Sequence, residues 1–238
     1  MRPKPRWAFY MQARFYLPMY GRFASPDPAR DQHFEQTQSW NIYSYVQNNP
    51  VMNTDPTGMR LNDFSLGADG AITLKVENKR KTDTLTSEKT GKRIEISKGI
   101  LESKTTQELK IDNVIVDFYS TIDNVDAVRL FEFNSENSDV EWGRTMTDKA
   151  TYVTTSHEES REVGSALLID NAKDSNTNVK ENDHSHPQNT SPSGFSTKEK
   201  TGNAVGDAKF AEKTDANLRV YQPEKKAYIE YDKNGVKK

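Results

Sequence analysis

The chain has no cysteine. That removes disulfide frameworks, thiolate metal sites and cysteine nucleophiles together, so a metal would have to be held by histidine and carboxylate side chains. Histidine is itself scarce, at four in 238 residues. Long apolar runs are missing too: tyrosine aside, the longest is Ala166–Ile169, against the roughly 20 residues that cross a bilayer as a helix. The basic opening Met1–Arg6 leads into no apolar stretch of signal-peptide length, so neither a signal peptide nor a transmembrane segment is expected. A charge excess is also lacking. With 33 Lys+Arg against 35 Asp+Glu the net charge is −2, and the basic footprint of nucleic-acid binders is absent. Leu, Ile, Val and Phe make up about 19% of the residues, within the range of disordered chains. Disorder also calls for high net charge, so a compact core is expected over part of the chain.

Prolines and aromatics are concentrated at the front. Residues 1–59 hold seven of the ten prolines, together with Tyr10, Phe15, Tyr16, Tyr20, Phe23, Phe34, Trp40, Tyr43 and Tyr45. Turn signals recur at Leu17-Pro18, Pro26-Asp27-Pro28, Asn48-Asn49-Pro50 and Asp55-Pro56-Thr57-Gly58, which predicts short β-hairpins. Alternation at 72–77 and 111–118 predicts half-exposed strands. The polar stretch 78–90 reads as a hairpin tip or linker. Asn124 is the expected cap of a helix to about Glu136, with Val125, Val128, Leu130, Phe131 and Phe133 as its apolar face. Strands are expected over 138–145, 151–155, 166–169, 218–221 and 227–231, a polar loop over 171–183 and a helix over 207–213. The fold class is therefore α+β, with residues 1–59, 60–110 (a polar β-rich linker) and 111–238 as its three parts.

Three strings in the front block carry a resemblance: Tyr10–Pro18, Gly21–Pro28 and Asn41–Pro50, closed by Asp55-Pro56-Thr57-Gly58. Together they resemble the end of an RHS repeat-associated core. That resemblance implies a remnant of a β-cage built from repeats, with variable toxin cargo starting after the turn. It also implies self-cleavage near Met59-Arg60 by Asp27 and Asp55 with Arg22 in support. From the residues alone, both aspartates serve equally well as turn caps beside proline.

The densest chemistry lies at Asp183-His184-Ser185-His186-Pro187. On an extended segment, histidines at i and i+2 leave the same face and can reach one ion. With Ser191-Pro192-Ser193-Gly194 downstream, the string resembles the JAB/MPN (JAMM) metallopeptidase signature, a Glu followed by HxHP and then PSxxD. Glu141, 43 residues ahead of His184 and just after the predicted helix, matches the family's Glu. The pattern asks for Asp three residues after Ser193, where this chain has Ser196. The first aspartate beyond is Asp207, at a predicted helix start, which makes 195–205 an insertion. The resemblance implies a mixed β-sheet flanked by helices, Zn2+ held by His184, His186 and Asp207, Glu141 carrying the proton, and Ser193 donating to the carbonyl oxygen. His157, in His157-Glu158-Glu159-Ser160, reads as a solvated loop residue, and His33 is assigned nothing.

These readings imply a zinc peptidase or isopeptidase toxin, deubiquitinase-like, acting on a protein or peptide substrate that could be ubiquitin-like. A cognate immunity protein is implied as partner, with synthesis in the bacterial cytoplasm and export as part of an RHS effector, and no nucleic-acid partner or membrane anchor. Two alternatives stand beside it: a metal-dependent nuclease toxin, and an inert binding module in which the His pair is a structural clip. Residues 131–183 carry 5 Lys+Arg and 12 Asp+Glu, a local excess of negative charge that disfavours phosphate.

Overall fold

The computed structural model describes residues 8–11, 14–26, 41–45, 62–76, 82–110, 113–196 and 204–237. The chain divides into two compact units, 1–64 with 74–84 and 65–73 with 85–238. In the first, β1 (Phe9–Met11), β2 (Arg14–Leu17) and β3 (Arg22–Phe23) form an antiparallel sheet. Phe23 is buried, with the Arg14 guanidinium 3.7 Å from its ring centre. Arg22 is exposed on β3. Asp27, Asp55, the Met59-Arg60 bond and His33 lie outside the described residues.

A four-stranded sheet of order β5-β4-β6-β7 is built from β4 (Asn62–Leu66), β5 (Ile72–Val76), β6 (Thr82–Ser87) and β7 (Arg93–Ser97). β6 corrects the expected hairpin tip at 78–90. Its threonines are β-branched and suit a pleated surface, and Asp83, Thr84 and Leu85 are all buried.

The second unit is organised by an eight-stranded mixed sheet. Along the chain run β8 (Thr105–Leu109), β9 (Val114–Thr121), α1 (Asn124–Asn137), β10 (Trp142–Thr147), β11 (Thr151–Thr155), α2 (Gly164–Asp174), β12 (Val179–Ser185), α3 (Gly206–Ala211), β13 (Asn217–Gln222), β14 (Ala227–Asp232) and β15 (Gly235–Val236). The sheet order is β15-β14-β13-β12-β10-β11-β9-β8, and every pairing is antiparallel except that of β12 with β13. The expected boundary at 110/111 falls inside the β8–β9 hairpin, because β8 pairs along its length with β9.

Side-chain contacts assign the two faces. Trp142 and Arg144 of β10 bond to Ser138 and Asn124 at the ends of α1. Asn182 of β12 bonds to Ser165 of α2 on the other face. Asp123, not Asn124, caps α1: its carboxylate accepts from the amides of Val125 and Asp126. The buried stripe is Ala127, Leu130, Phe131 and Asn134, the i, i+3, i+4, i+7 spacing of one helical face. Val125 is two residues off that stripe, and is 68% exposed.

Two further expectations are overturned. Residues 166–169 are helical, because a run of four apolar residues fits helix or strand equally and Glu162 decides it. Its carboxylate accepts the Gly164 and Ser165 amides at 2.7 and 3.0 Å, filling orphan donors of the first turn. The polar loop expected over 171–183 is the end of α2 and most of β12. Its carboxylates meet arginines instead of water: Asp183 accepts from Arg144 Nε at 2.7 Å and Arg219 Nε at 2.7 Å, and Glu181 from both guanidinium groups. Arg144 and Asp183 are fully buried, so part of the local negative charge counted in the sequence is balanced inside the fold.

His157 is likewise no solvated loop residue. It adopts a left-handed backbone, φ 59°, and its ring bridges Asp69 O at 2.8 Å and Asp117 Oδ2 at 3.0 Å. Asp117 is buried and also meets Lys104 Nζ at 2.6 Å. Burial opposes ionisation of Asp117, but the bonds from His157, Lys104 and Thr106 prevail and hold its pKa at about 2. The bond to Asp117 raises the His157 pKa, against burial. A raised histidine contributes stability that is complete below its unfolded pKa of about 6.5 and is lost as pH rises through the folded value. Raising pH from about 6 to about 8.5 is therefore expected to lower the stability of the wild type relative to His157→Gln, by at most the roughly 1.5–3 kcal/mol of a charged hydrogen bond, read as a falling melting temperature. A melting-temperature difference that stays constant across that range would remove this role for the His157–Asp117 bond.

Candidate metal centre

β12 makes the site. Alternation along it puts Glu181, Asp183 and Ser185 on the α1 face and Asn182 and His184 on the opposite one. His184 pairs with Gly143 of β10 on one side and Val220 of β13 on the other. Beyond it the chain stays with β13, the His186 amide donating to Tyr221 O at 2.9 Å. The two Nε2 atoms are 3.1 Å apart. Thr190 contacts His186 Nδ1 through its hydroxyl at 2.8 Å and its carbonyl at 3.2 Å, a contact that fixes the ring and leaves Nε2 for a ligand role.

Asp207 comes from the first turn of α3, the predicted helix that starts at Gly206. The Ser193 amide donates to Asp207 Oδ2 at 2.5 Å, and the Asp207 amide donates to Ser193 Oγ at 3.2 Å. Gly194 and Gly206 both have positive φ, and a Cβ on either would run into the facing segment, Val205 in one case and Ser193 in the other. The two ends of the 195–205 stretch therefore meet, with residues 197–203 outside the described ones.

Asp207 Oδ1 is 2.8 Å from His184 Nε2, and Oδ2 is 3.6 Å from His186 Nε2. All three residues are buried. Two imidazole nitrogens and a carboxylate form an ordinary zinc donor set, and tetrahedral bonds of 2.0–2.1 Å place ligand atoms about 3.3 Å apart. The two imidazole nitrogens are 3.1 Å apart, close to that value, and one ligand atom from each of the three residues lies within 4.8 Å of the others, so these residues fit the ion.

The electrostatics point the same way. Burial opposes ionisation of Asp207, yet the adjacent His184 holds its pKa well below the carboxylate range. Burial lowers His184, but the Asp207 charge outweighs it and the net shift is upward. His186 is lowered by burial and by His184. Glu141, 7% exposed just before β10, is pushed up to about 8 by burial, with His184 pulling down and Glu162 and Asp207 adding to the rise. Glu141 is outside the set of ligand atoms that lie within 4.8 Å of one another. Ser193 is exposed at the edge of the triad, its hydroxyl oxygen taken by the Asp207 amide and its proton left to donate.

Sequence reasoning missed Glu162, Asn182 and Thr190. Asn182 was legible by strand alternation, two residues before His184. Glu162 had no signal apart from lying two residues ahead of Gly164.

Among curated proteins, the tRNA nuclease WapA of Bacillus subtilis strain 168 and the tRNA3(Ser)-specific nuclease WapA of Bacillus spizizenii are each 46% identical to this chain over 52 residues. The match takes in 21% of this chain and 2% of each relative's length. No solved structure matches the chain. No helix among the described residues is long and apolar enough to cross a membrane. Residues 119–212, which hold Glu141, both histidines, Ser193 and Asp207, match the family described as JAB-like toxin 1, and this match supports a JAB-like toxin domain over that stretch.

Proposed function

We propose that the chain from β8 onward forms a zinc-dependent JAB-like peptidase or isopeptidase, the active part of a polymorphic toxin. The observation that carries this reading is the cluster of His184, His186 and Asp207, with the buried Glu141 near enough to feel the charges of His184 and Asp207. His184, His186 and Asp207 would hold the zinc, which when bound would supply Lewis acidity to a water and to the scissile carbonyl. Glu141 would take the water's proton and pass it to the leaving amine. Ser193 donates its hydroxyl proton to the carbonyl oxygen as charge develops there. The substrate class is a protein or peptide amide, ubiquitin-like tails included. Residues 1–59 act as the end of an RHS core, with Arg22, Asp27 and Asp55 as its self-cleavage set and the stretch from 60 up to β8 as a pre-toxin region. The exported effector is paired with an immunity protein in the producing cell.

A second reading is a metal-dependent nuclease, favoured by the tRNA nucleases that share 52 aligned residues. One panel separates the two: the zinc-loaded full chain is expected to cleave peptide or isopeptide-linked substrates and to leave tRNA intact. Cleavage of tRNA with every amide untouched would overturn the peptidase reading.

A further inference from the structure

The residue between the two histidines faces away from the proposed ion, yet it is tied to the proposed proton carrier. The ladder between β10 and β12 ends at Gly143 opposite His184. The next position on β10 is Trp142, whose amide is buried and has passed the last rung. A buried amide without an acceptor is costly, about 1–3 kcal/mol. Ser185 fills the gap with its side chain, Oγ accepting the Trp142 amide at 2.9 Å. Ser185 is 0% exposed. Its own backbone has already turned to the other neighbour, pairing with Tyr221 of β13.

That amide belongs to the peptide bond leaving Glu141. The rest of the Glu141 backbone is held by two more bonds: its amide donates to Glu158 O at 2.8 Å, and its carbonyl accepts from Thr155 Oγ1 at 3.0 Å. Glu141 therefore precedes the strand on three anchors, one of which reaches back to the strand that carries the histidines. The other two lead to β11 and the segment following it. Beyond the Gly143 rung, the Ser185 hydroxyl is what ties the Glu141–Trp142 peptide to β12. The two strands must part here, since His186 continues with β13, and the serine hydroxyl spans the parting.

We propose that Ser185 is a positioning residue, its hydroxyl fixing Glu141 against the His184–His186–Asp207 triad through the Trp142 amide. The inference rests on the peptidase reading for its kinetic consequence but not for the hydrogen bond itself. Proximity at a reacting centre is steep, and a shift of about 1 Å can cost about 100-fold in rate. Ser185→Ala removes the acceptor and leaves the histidines untouched. Ser185→Thr keeps the hydroxyl and serves as the conservative rescue.

The test compares wild type, Ser185→Ala and Ser185→Thr in the full chain by three readouts. These are zinc per chain, hydrogen exchange of the Trp142 amide with the zinc-induced shift of the Glu141 side-chain carboxyl resonance, and kcat and KM on an isopeptide-linked substrate. Ser185→Ala is expected to keep its zinc, to exchange the Trp142 amide at least about tenfold faster, and to shrink the Glu141 shift. Its kcat is expected to fall about 10- to 100-fold with KM within about twofold, and Ser185→Thr is expected to restore all of these. Equal protection of the Trp142 amide in Ser185→Ala, an unchanged Glu141 shift, or zinc lost in step with activity would each overturn the proposal. A wild type that binds zinc, shows the Glu141 shift and hydrolyses no amide would end the peptidase reading instead, and the resonance and exchange comparison would then decide the role of Ser185 by itself.

Discussion

Glu141→Gln is expected to retain about one zinc per chain while amide hydrolysis falls by about 100- to 10,000-fold, the usual share of a general acid–base group. Glutamine matches glutamate in size and fills the same buried space, so the triad is left intact. The variant lacks only the ability to take a proton from water and return it to the leaving amine. Glu141 is outside the cluster of three ligand atoms, so its removal should not cost the ion. Stability should hold or rise. Burial raises the Glu141 pKa to about 8, with the neighbouring Glu162 and Asp207 contributing and His184 opposing. A carboxyl raised in this way costs folding free energy at any pH above its unfolded value, where the unfolded chain ionises more readily. The neutral amide carries no such cost. A melting temperature at or above wild type, with the expected rate loss, would therefore assign the defect to chemistry. Hydrolysis within about tenfold of wild type would remove Glu141 from the mechanism, and loss of zinc would make it a ligand.

The parts of the site that were legible in the sequence are those where side-chain identity is itself the signal. His184 and His186 stood out because histidine is rare here and their spacing matches the strand period. Asp207 was reached by following the chain to the first aspartate after Ser193, at a predicted helix start, and the structure brings it to 2.8 Å from His184. The strand that carries the histidines was not legible. Glu181, Asn182 and Asp183 read as loop because polarity ordinarily means solvent, whereas Arg144 and Arg219, distant in sequence, neutralise the two acids in the interior. Arg144 sits 37 positions before Glu181 and 39 before Asp183, too far for any local pattern to register. The same holds for α2, whose start is decided by Glu162 accepting backbone amides, and for His157, whose partners Asp69 and Asp117 come from other strands and turns. Local periodicity reports which face is apolar; it does not report which buried charges find each other.

The largest effect is expected at the ligands themselves. The wild-type chain, purified without a histidine tag, should hold about one zinc, and His184→Ala/His186→Ala should hold none, as measured by metal analysis after dialysis. Removing two of three protein ligands leaves Asp207 alone, and one carboxylate cannot compete with water for the ion. Asp207→Asn should fall between, since the amide oxygen can still reach the ion but the charge that offsets the cation is gone. Thermal stability provides an independent check. An ion that binds only the folded chain stabilises it by about 2.7 kcal/mol at 100-fold excess over its Kd, so added zinc should raise the wild-type melting temperature and leave that of the double variant where it was. Without the ion, the folded chain buries Asp207 beside His184 and His186 and depends on His184 being protonated to balance it. The metal-free wild type should accordingly lose stability as pH rises through the raised His184 value, and zinc, which supplies the positive charge without a proton, should abolish that slope. Zinc absent from the wild type under saturating conditions would reduce the histidine pair to a buried ion pair with Asp207 and leave the fold with no catalytic centre of this kind.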